Sequence, residues 1–226
     1  MDRIQAVLFD FGGVFTPSPF SALDVLGEQL GADPQHLMRL VFGPYDADTD
    51  HPWHRLERGE LSFLEAREAI LALGQAEGVD ADPIKLFSLI GGGEGAREAM
   101  VARTKALRAR GFGTALVTNN VREFRTRWVT LVPVDELFQH LLDSSELGIR
   151  KPDPRIFHLA LERLGVAPEE ALFLDDFPAN LEAAERLGIR SLLVEPDGAA
   201  ALAELDALVA AGPAHARVAA SPAQRL

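Results

Sequence analysis

"LFDFGGVF", residues 8–15, runs an apolar segment into an aspartate and then bends the backbone at two glycines. With the residues before it, "IQAVLFDF" (4–11) reads as a short buried strand closed by Gly12 and Gly13. A single carboxylate at a strand end beside a sharp turn suits a phosphorylation site. Many enzymes with such a site carry a second acid two residues later, and here that position is Gly12. Taken alone, Asp10 reads equally well as a turn former after a strand.

The residues downstream decide between these readings. From 21 to about 89 the spacing is helical, in "SALDVLGEQLG", "PQHLMRLVFG", "FLEAREAILALGQAEG" and "PIKLFSLIG", with Gly and Pro between them. Beyond "GGGEG" (91–95), strand patterns return and alternate with helices: "FGTALVTNN", a short one near 140–142, "EALFLDD" and "IRSLLVE". Alternation of this kind predicts an α/β fold, a Rossmann-like parallel sheet with right-handed crossovers. Its polar residues gather at strand C-terminal ends, where open α/β sheets bind ligands: Asp10, Thr118, Asn119, Asp175 and Asp176. The expected division is a core of 1–17 and 95–226 with an inserted all-helical cap at 18–94. Linkers near 17–19 and 91–95 would act as hinges. The Ala- and Pro-rich tail is expected to be loosely packed.

Composition narrows the function. With 22 Lys+Arg against 34 Asp+Glu the net charge is −12, which argues against a nucleic-acid partner. There are no cysteines, so disulfides and thiolate zinc sites are excluded. No apolar stretch is long enough to span a bilayer, and the N-terminus enters a strand pattern without a signal-peptide pattern. The expectation is a cytoplasmic monomer or homodimer with no membrane partner.

Thr118-Asn119-Asn120 alone could be a polar loop with a helix cap, and Lys151 in "RKPDP" a solvated residue. Asp175-Asp176 is harder to explain so, because adjacent carboxylates closing an apolar strand call for a cation. In this order the elements fit phosphoryl transfer. A carboxylate nucleophile splits one displacement into two, Mg²⁺ bridges carboxylates and phosphate, and hydroxyl, backbone N–H and lysine groups stabilise the developing charge.

"FDFGGV", "LVTNN", "LGIRKPDPRIF" and "FLDDFPANLEAAERLGI" resemble, in order, the four motifs of the haloacid dehalogenase (HAD) superfamily. "FTPSPF" and "HPWHRLERGEL" resemble the group similar to the soluble epoxide hydrolase N-terminal phosphatase domain. The resemblance implies Asp10 as nucleophile, Thr118 and Asn119 as phosphate ligands with Gly12 and Gly13 beside them, and Lys151 as charge stabiliser. It implies Mg²⁺ held by Asp10, the Gly12 carbonyl and Asp176. Asp175 would orient Lys151 or share the ion, and Asn180 would support the site from behind. The implied activity is hydrolysis of a small phosphorylated metabolite through an aspartyl-phosphate.

Gly12 departs from the phosphatase pattern, whose acid at this place protonates the leaving group and activates water. That help is typically worth about 10²–10⁴ in rate. The segment "YDADTDHPWHRLERGE" offers His51, His54 and Glu57 as substitutes, with Trp53, His54 and Arg55 as possible substrate contacts; its other reading is a solvated cap face. Two alternatives follow from Gly12: a metal-independent 2-haloacid dehalogenase, against which Asp175-Asp176 argues, and a non-catalytic metabolite-binding protein.

Overall fold

Strand β1 (Ala6–Phe9) is flanked by β2 (Gly113–Thr118) and β4 (Ala171–Asp175). With β3 (His140–Asp143) and β5 (Arg190–Leu193) these make one parallel sheet in the order β3-β2-β1-β4-β5. This is the computed structural model of the chain, which describes residues 3–90 and 97–213. The two expected features at 91–95 and beyond 213 lie outside the described residues.

Every residue of β1 is buried. Val7 and Phe9 enter an apolar cluster on one face with Leu116, Leu172 and Leu174. Ala6 and Leu8 enter another on the opposite face with Ala115, Val117 and Phe173. A central parallel strand is covered on both sides, which is why its sequence reads as one apolar run. The chain leaves β1 for β2 on one side and later returns to β4 on the other. That reversal opens a crevice at the strand C-terminal ends between β1 and β4. The register sets Phe9 against Leu174, and the Asp10 N–H donates to the Leu174 carbonyl at 2.8 Å. Asp10 and Asp175 therefore emerge side by side.

Between β1 and β2 stand α1 (Leu23–Leu30), α2 (Pro34–Phe42), α3 (Pro52–Glu57), α4 (Phe63–Ala76) and α5 (Pro83–Leu89). Their starts are written locally: Asp33 and Asp82 cap helices with proline in the first turn, and Ser62 with Glu65 closes a capping box. These helices bury a cluster of their own, including Leu26, Leu37, Phe42, Trp53, Ile70 and Leu86. Val121 and Phe177, from loops at the sheet edge, join it. The helical block thus stands over that edge. The other helices are α6 (Glu98–Ala109), α7 (Arg125–Trp128), α8 (Val134–Leu137), α9 (Ser144–Leu147), α10 (Pro154–Leu164), α11 (Pro178–Glu185) and α12 (Ala199–Val209); α6 and α12 pack on the first sheet face, α10 and α11 on the opposite one. Among the described residues no helix is long and apolar enough to cross a membrane.

Candidate active site

Asp10 follows β1, Thr118 ends β2, and Asp175 ends β4 with Asp176 directly after it. Lys151, from the loop between α9 and α10, reaches into this cluster. Its Nζ lies 2.7 Å from Asp10 Oδ1 and 2.7 Å from Asp175 Oδ2. Asp175 is held on its other sides: the Phe177 N–H donates to it at 2.8 Å, and Asn180 Nδ2 lies 3.2 and 3.1 Å from its two oxygens. Asp10, Asp175 and Asp176 each present a carboxylate oxygen, all within 4.8 Å of one another.

Three carboxylates share one lysine here, and the titration follows from that imbalance. Burial, then the charges of Asp175 and Asp176, push Asp10 up to about 7 against the pull of Lys151. Burial and Asp175 likewise push Asp176 up to about 6. For Lys151 burial acts downward, but Asp10 and Asp175 together outweigh it and raise its pKa. An all-oxygen donor set with surplus negative charge fits a hard divalent cation such as Mg²⁺.

Gly13 is needed for this geometry. Its φ is +72°, and a Cβ there would sit 2.1 Å from Asp176 Cγ. It makes room for Asp176. Gly12 lines the cavity over Asp10.

The cavity over Asp10 has a volume of about 210 Å³. Thr118, Asn119, Lys151, Asp176 and Asn180 line its floor. Asn119 departs from expectation in detail. Its side chain grips the backbone of Lys151, Nδ2 donating to the carbonyl at 2.9 Å and Oδ1 accepting from the N–H at 2.8 Å. The amide clamps the lysine loop, and what Asn119 has left for a phosphate is on its backbone.

The roof comes from the helical block. Trp53 and Glu57 line the cavity; His54 and Arg55 do not. The expectation that His54 and Arg55 reach a substrate is corrected here. His54 is 0% exposed, its Nδ1 accepts from the Thr49 N–H at 3.0 Å, and burial followed by the charge of Arg150 lowers its pKa to about 3. It stays neutral and structural. Arg55 turns to Glu60, 3.2 Å away. His51 caps α3, its Nδ1 accepting from the Trp53 N–H.

Sequence reasoning did not single out Tyr45 or Arg150. Glu57, one helical turn after Trp53, accepts from Trp53 Nε1 and from the Tyr45 hydroxyl, both at 2.8 Å. Its second oxygen accepts from Arg150 Nε at 2.7 Å. Arg150 is fully buried, 4.8 Å from the Tyr45 ring centroid, and is the residue next to Lys151. This buried pair ties the helical roof to the lysine loop. Nothing in the spacing joins 57 to 150.

Comparison with known proteins bears on the family and the fold. The chain is 33% identical over 210 residues to mouse acyl-CoA dehydrogenase family member 10, covering 91% of this chain and 19% of that protein. It is 31% identical over 167 residues to rat bifunctional epoxide hydrolase 2, covering 69% of this chain and 30% of that protein. A phosphoserine phosphatase of Thermus thermophilus is 39% identical over 89 residues, 39% of this chain and 36% of that one. The chain thus spans between about a fifth and just over a third of the length of these relatives. Its fold matches a HAD family enzyme of Bacteroides thetaiotaomicron solved with magnesium and inorganic phosphate, at TM-score 0.58 and 21% identity over 85% of this chain and 95% of that one. The haloacid dehalogenase-like hydrolase pattern matches residues 4–188, and the chain belongs to that family of hydrolases.

Proposed function

We propose that this chain is a Mg²⁺-dependent phosphatase that hydrolyses a small phosphomonoester through phospho-Asp10. The observation that carries the reading is the group of Asp10, Asp175, Asp176 and Lys151 at the floor of a cavity at the sheet edge. A phosphatase-named relative and a fold neighbour solved with magnesium and phosphate support it.

Asp10 attacks phosphorus with its free carboxylate oxygen, and the ester bond to the leaving oxygen breaks. Water then attacks the same phosphorus, releasing phosphate and restoring Asp10. Lys151 stays charged through both steps and lies against the nucleophile. Asp175 orients Lys151, with Asn180 and the Phe177 N–H fixing the carboxylate. The Thr118 hydroxyl and backbone N–H groups near Asn119 receive the equatorial phosphoryl oxygens. Asp10, Asp176 and the Gly12 carbonyl would hold Mg²⁺, which supplies neutralisation between the incoming phosphate and the carboxylates. The helical roof shields the reacting groups from bulk water.

The direct test is a Mg²⁺-supplemented hydrolysis screen over phosphorylated metabolites with Asp10→Asn as control. Turnover that needs both Mg²⁺ and Asp10 supports the reading. Gly12 favours one second reading, a metal-independent 2-haloacid dehalogenase. Halide release from haloacids in the presence of a chelator, with no phosphate release, would establish that instead.

A further inference from the structure

The chemistry of the substrate's leaving group is written in the walls above Asp10. Aromatic rings dominate them. Phe20, Tyr45 and Phe177 meet one another with ring centroids 5.0–5.3 Å apart. Trp53 stands perpendicular to Phe42 at 5.0 Å and stacks on Phe87 at 5.6 Å. A volume of about 210 Å³ leaves room for one small ring and a phosphoryl group, since a cavity of about 150 Å³ takes up benzene.

The titratable groups that line the cavity are already committed. Among the described residues they are Asp10, Tyr45, Glu57, Lys151 and Asp176. Glu57 accepts from Tyr45 and Trp53 on one oxygen and from Arg150 on the other, so both of its oxygens are already engaged. The Tyr45 hydroxyl proton is donated to Glu57, and burial followed by that charge raises its pKa well above the usual value. Lys151 is paired to Asp10 and Asp175. Arg150 lies behind the lining, with its charge answered by Glu57. Asp10 is the nucleophile and Asp176 would hold Mg²⁺, so among the described groups that line the cavity none is left to protonate a basic leaving oxygen, and none is a further cation to meet a second anion on the substrate.

We infer that the substrate is a compact phosphate ester of an aromatic or enolic alcohol, carrying no charge beyond its phosphate. The inference rests on the phosphatase reading and narrows it. As the Asp10 Oδ–P bond forms, the P–O ester bond breaks and its electron pair stays on the departing oxygen. An aryl or enol oxygen leaves as a delocalised anion and collects its proton from solvent. An alkoxide cannot leave so without an acid. Water then attacks phosphorus, the Asp10–phosphate bond breaks, one water proton stays on the released hydrogen phosphate and the other passes to solvent.

The experiment measures kcat and KM, with Mg²⁺, for phenyl phosphate, cyclohexyl phosphate, phosphoglycolate and O-phosphoserine. Phenyl and cyclohexyl rings are similar in size and differ in the basicity of the oxygen they leave on. The expected result is that cyclohexyl phosphate keeps a similar KM but loses about 10²-fold or more in kcat. The carboxylate-bearing esters lose about a hundredfold or more in kcat/KM against phenyl phosphate, because their charge is buried unpaired. Phosphoglycolate or phosphoserine turned over as well as phenyl phosphate overturns the substrate class and leaves the phosphatase standing. Equal kcat for phenyl and cyclohexyl phosphate overturns the leaving-group argument. If none of the four is hydrolysed while a wider Mg²⁺-dependent panel is, only this inference falls. If no phosphoester of any kind is hydrolysed, the phosphatase reading falls with it.

Discussion

Glu57→Gln isolates the buried pair that joins the roof to the lysine loop. Glutamine can still accept from Tyr45 and Trp53 through its carbonyl oxygen, but its amide then faces Arg150 Nε, donor against donor. Arg150 is 0% exposed and Glu57 2%. Removing one partner of such a pair costs about 3–5 kcal/mol, because the remaining charge is left in the interior. Arg150 keeps a bond to the Ala47 carbonyl at 3.2 Å and sits 3.7 Å from Asp48, so the low end, about 3 kcal/mol, is expected. For a chain of this size that is roughly 6–12 °C in Tm. Calorimetry at pH 7 measures it. The double variant Glu57→Leu/Arg150→Met removes both charges and should recover most of the loss. A Glu57→Gln variant within about 1 kcal/mol of the parent would refute the claim that this pair is closed to solvent.

Three further substitutions test separate parts of the account. Gly12→Asp should raise hydrolysis of alkyl phosphates by about 10², more than that of aryl phosphates, as steady-state kinetics would show. Gly12 is not among the glycines with positive φ, and a Cβ there would lie 3.2 Å from Pro19 Cδ, so the side chain needs only a small adjustment. Gly13→Ala should retain its fold by circular dichroism yet lose about 10²-fold or more in turnover, since the methyl group displaces Asp176 from the cluster. His54→Asn addresses pH. The native pKa of His54 is about 3 against 6.5 when unperturbed, so the unfolded chain takes the proton first. The stability this group contributes is fully present above pH 6.5 and is lost as pH falls toward 3, by at most about 1.4 kcal/mol per unit. Denaturation across that range should show a shallower fall for His54→Asn, and an unchanged slope would contradict a buried neutral imidazole.

What could be read in the sequence was local in origin. β1 and β4 are apolar runs ended by acids because both faces are covered, so strand and carboxylate appear together in "VLFD" and "LFLD". Helix starts at Asp33, Ser62 and Asp82 carry their caps beside them. What could not be read depends on pairing through space. Asn119 is a polar residue at a strand end, and only the position of Lys151 shows that its amide is spent on the loop. His54 and Arg55 share a short helix with Trp53, yet a turn of 100° per residue sends them to different surroundings. Glu57 and Arg150 are 93 residues apart and meet only because the helical block settles over the sheet edge.

The central claim is that Asp10 carries the phosphoryl group. Protein mixed with phenyl phosphate and Mg²⁺, quenched in acid within the first turnover, can be digested and its Asp10 peptide weighed. The account predicts a phosphoryl increment on that peptide, absent without Mg²⁺ and absent in Asp10→Asn, which also loses phosphate release by about 10⁴-fold or more. Phosphate release that survives Asp10→Asn at the parent rate would contradict it.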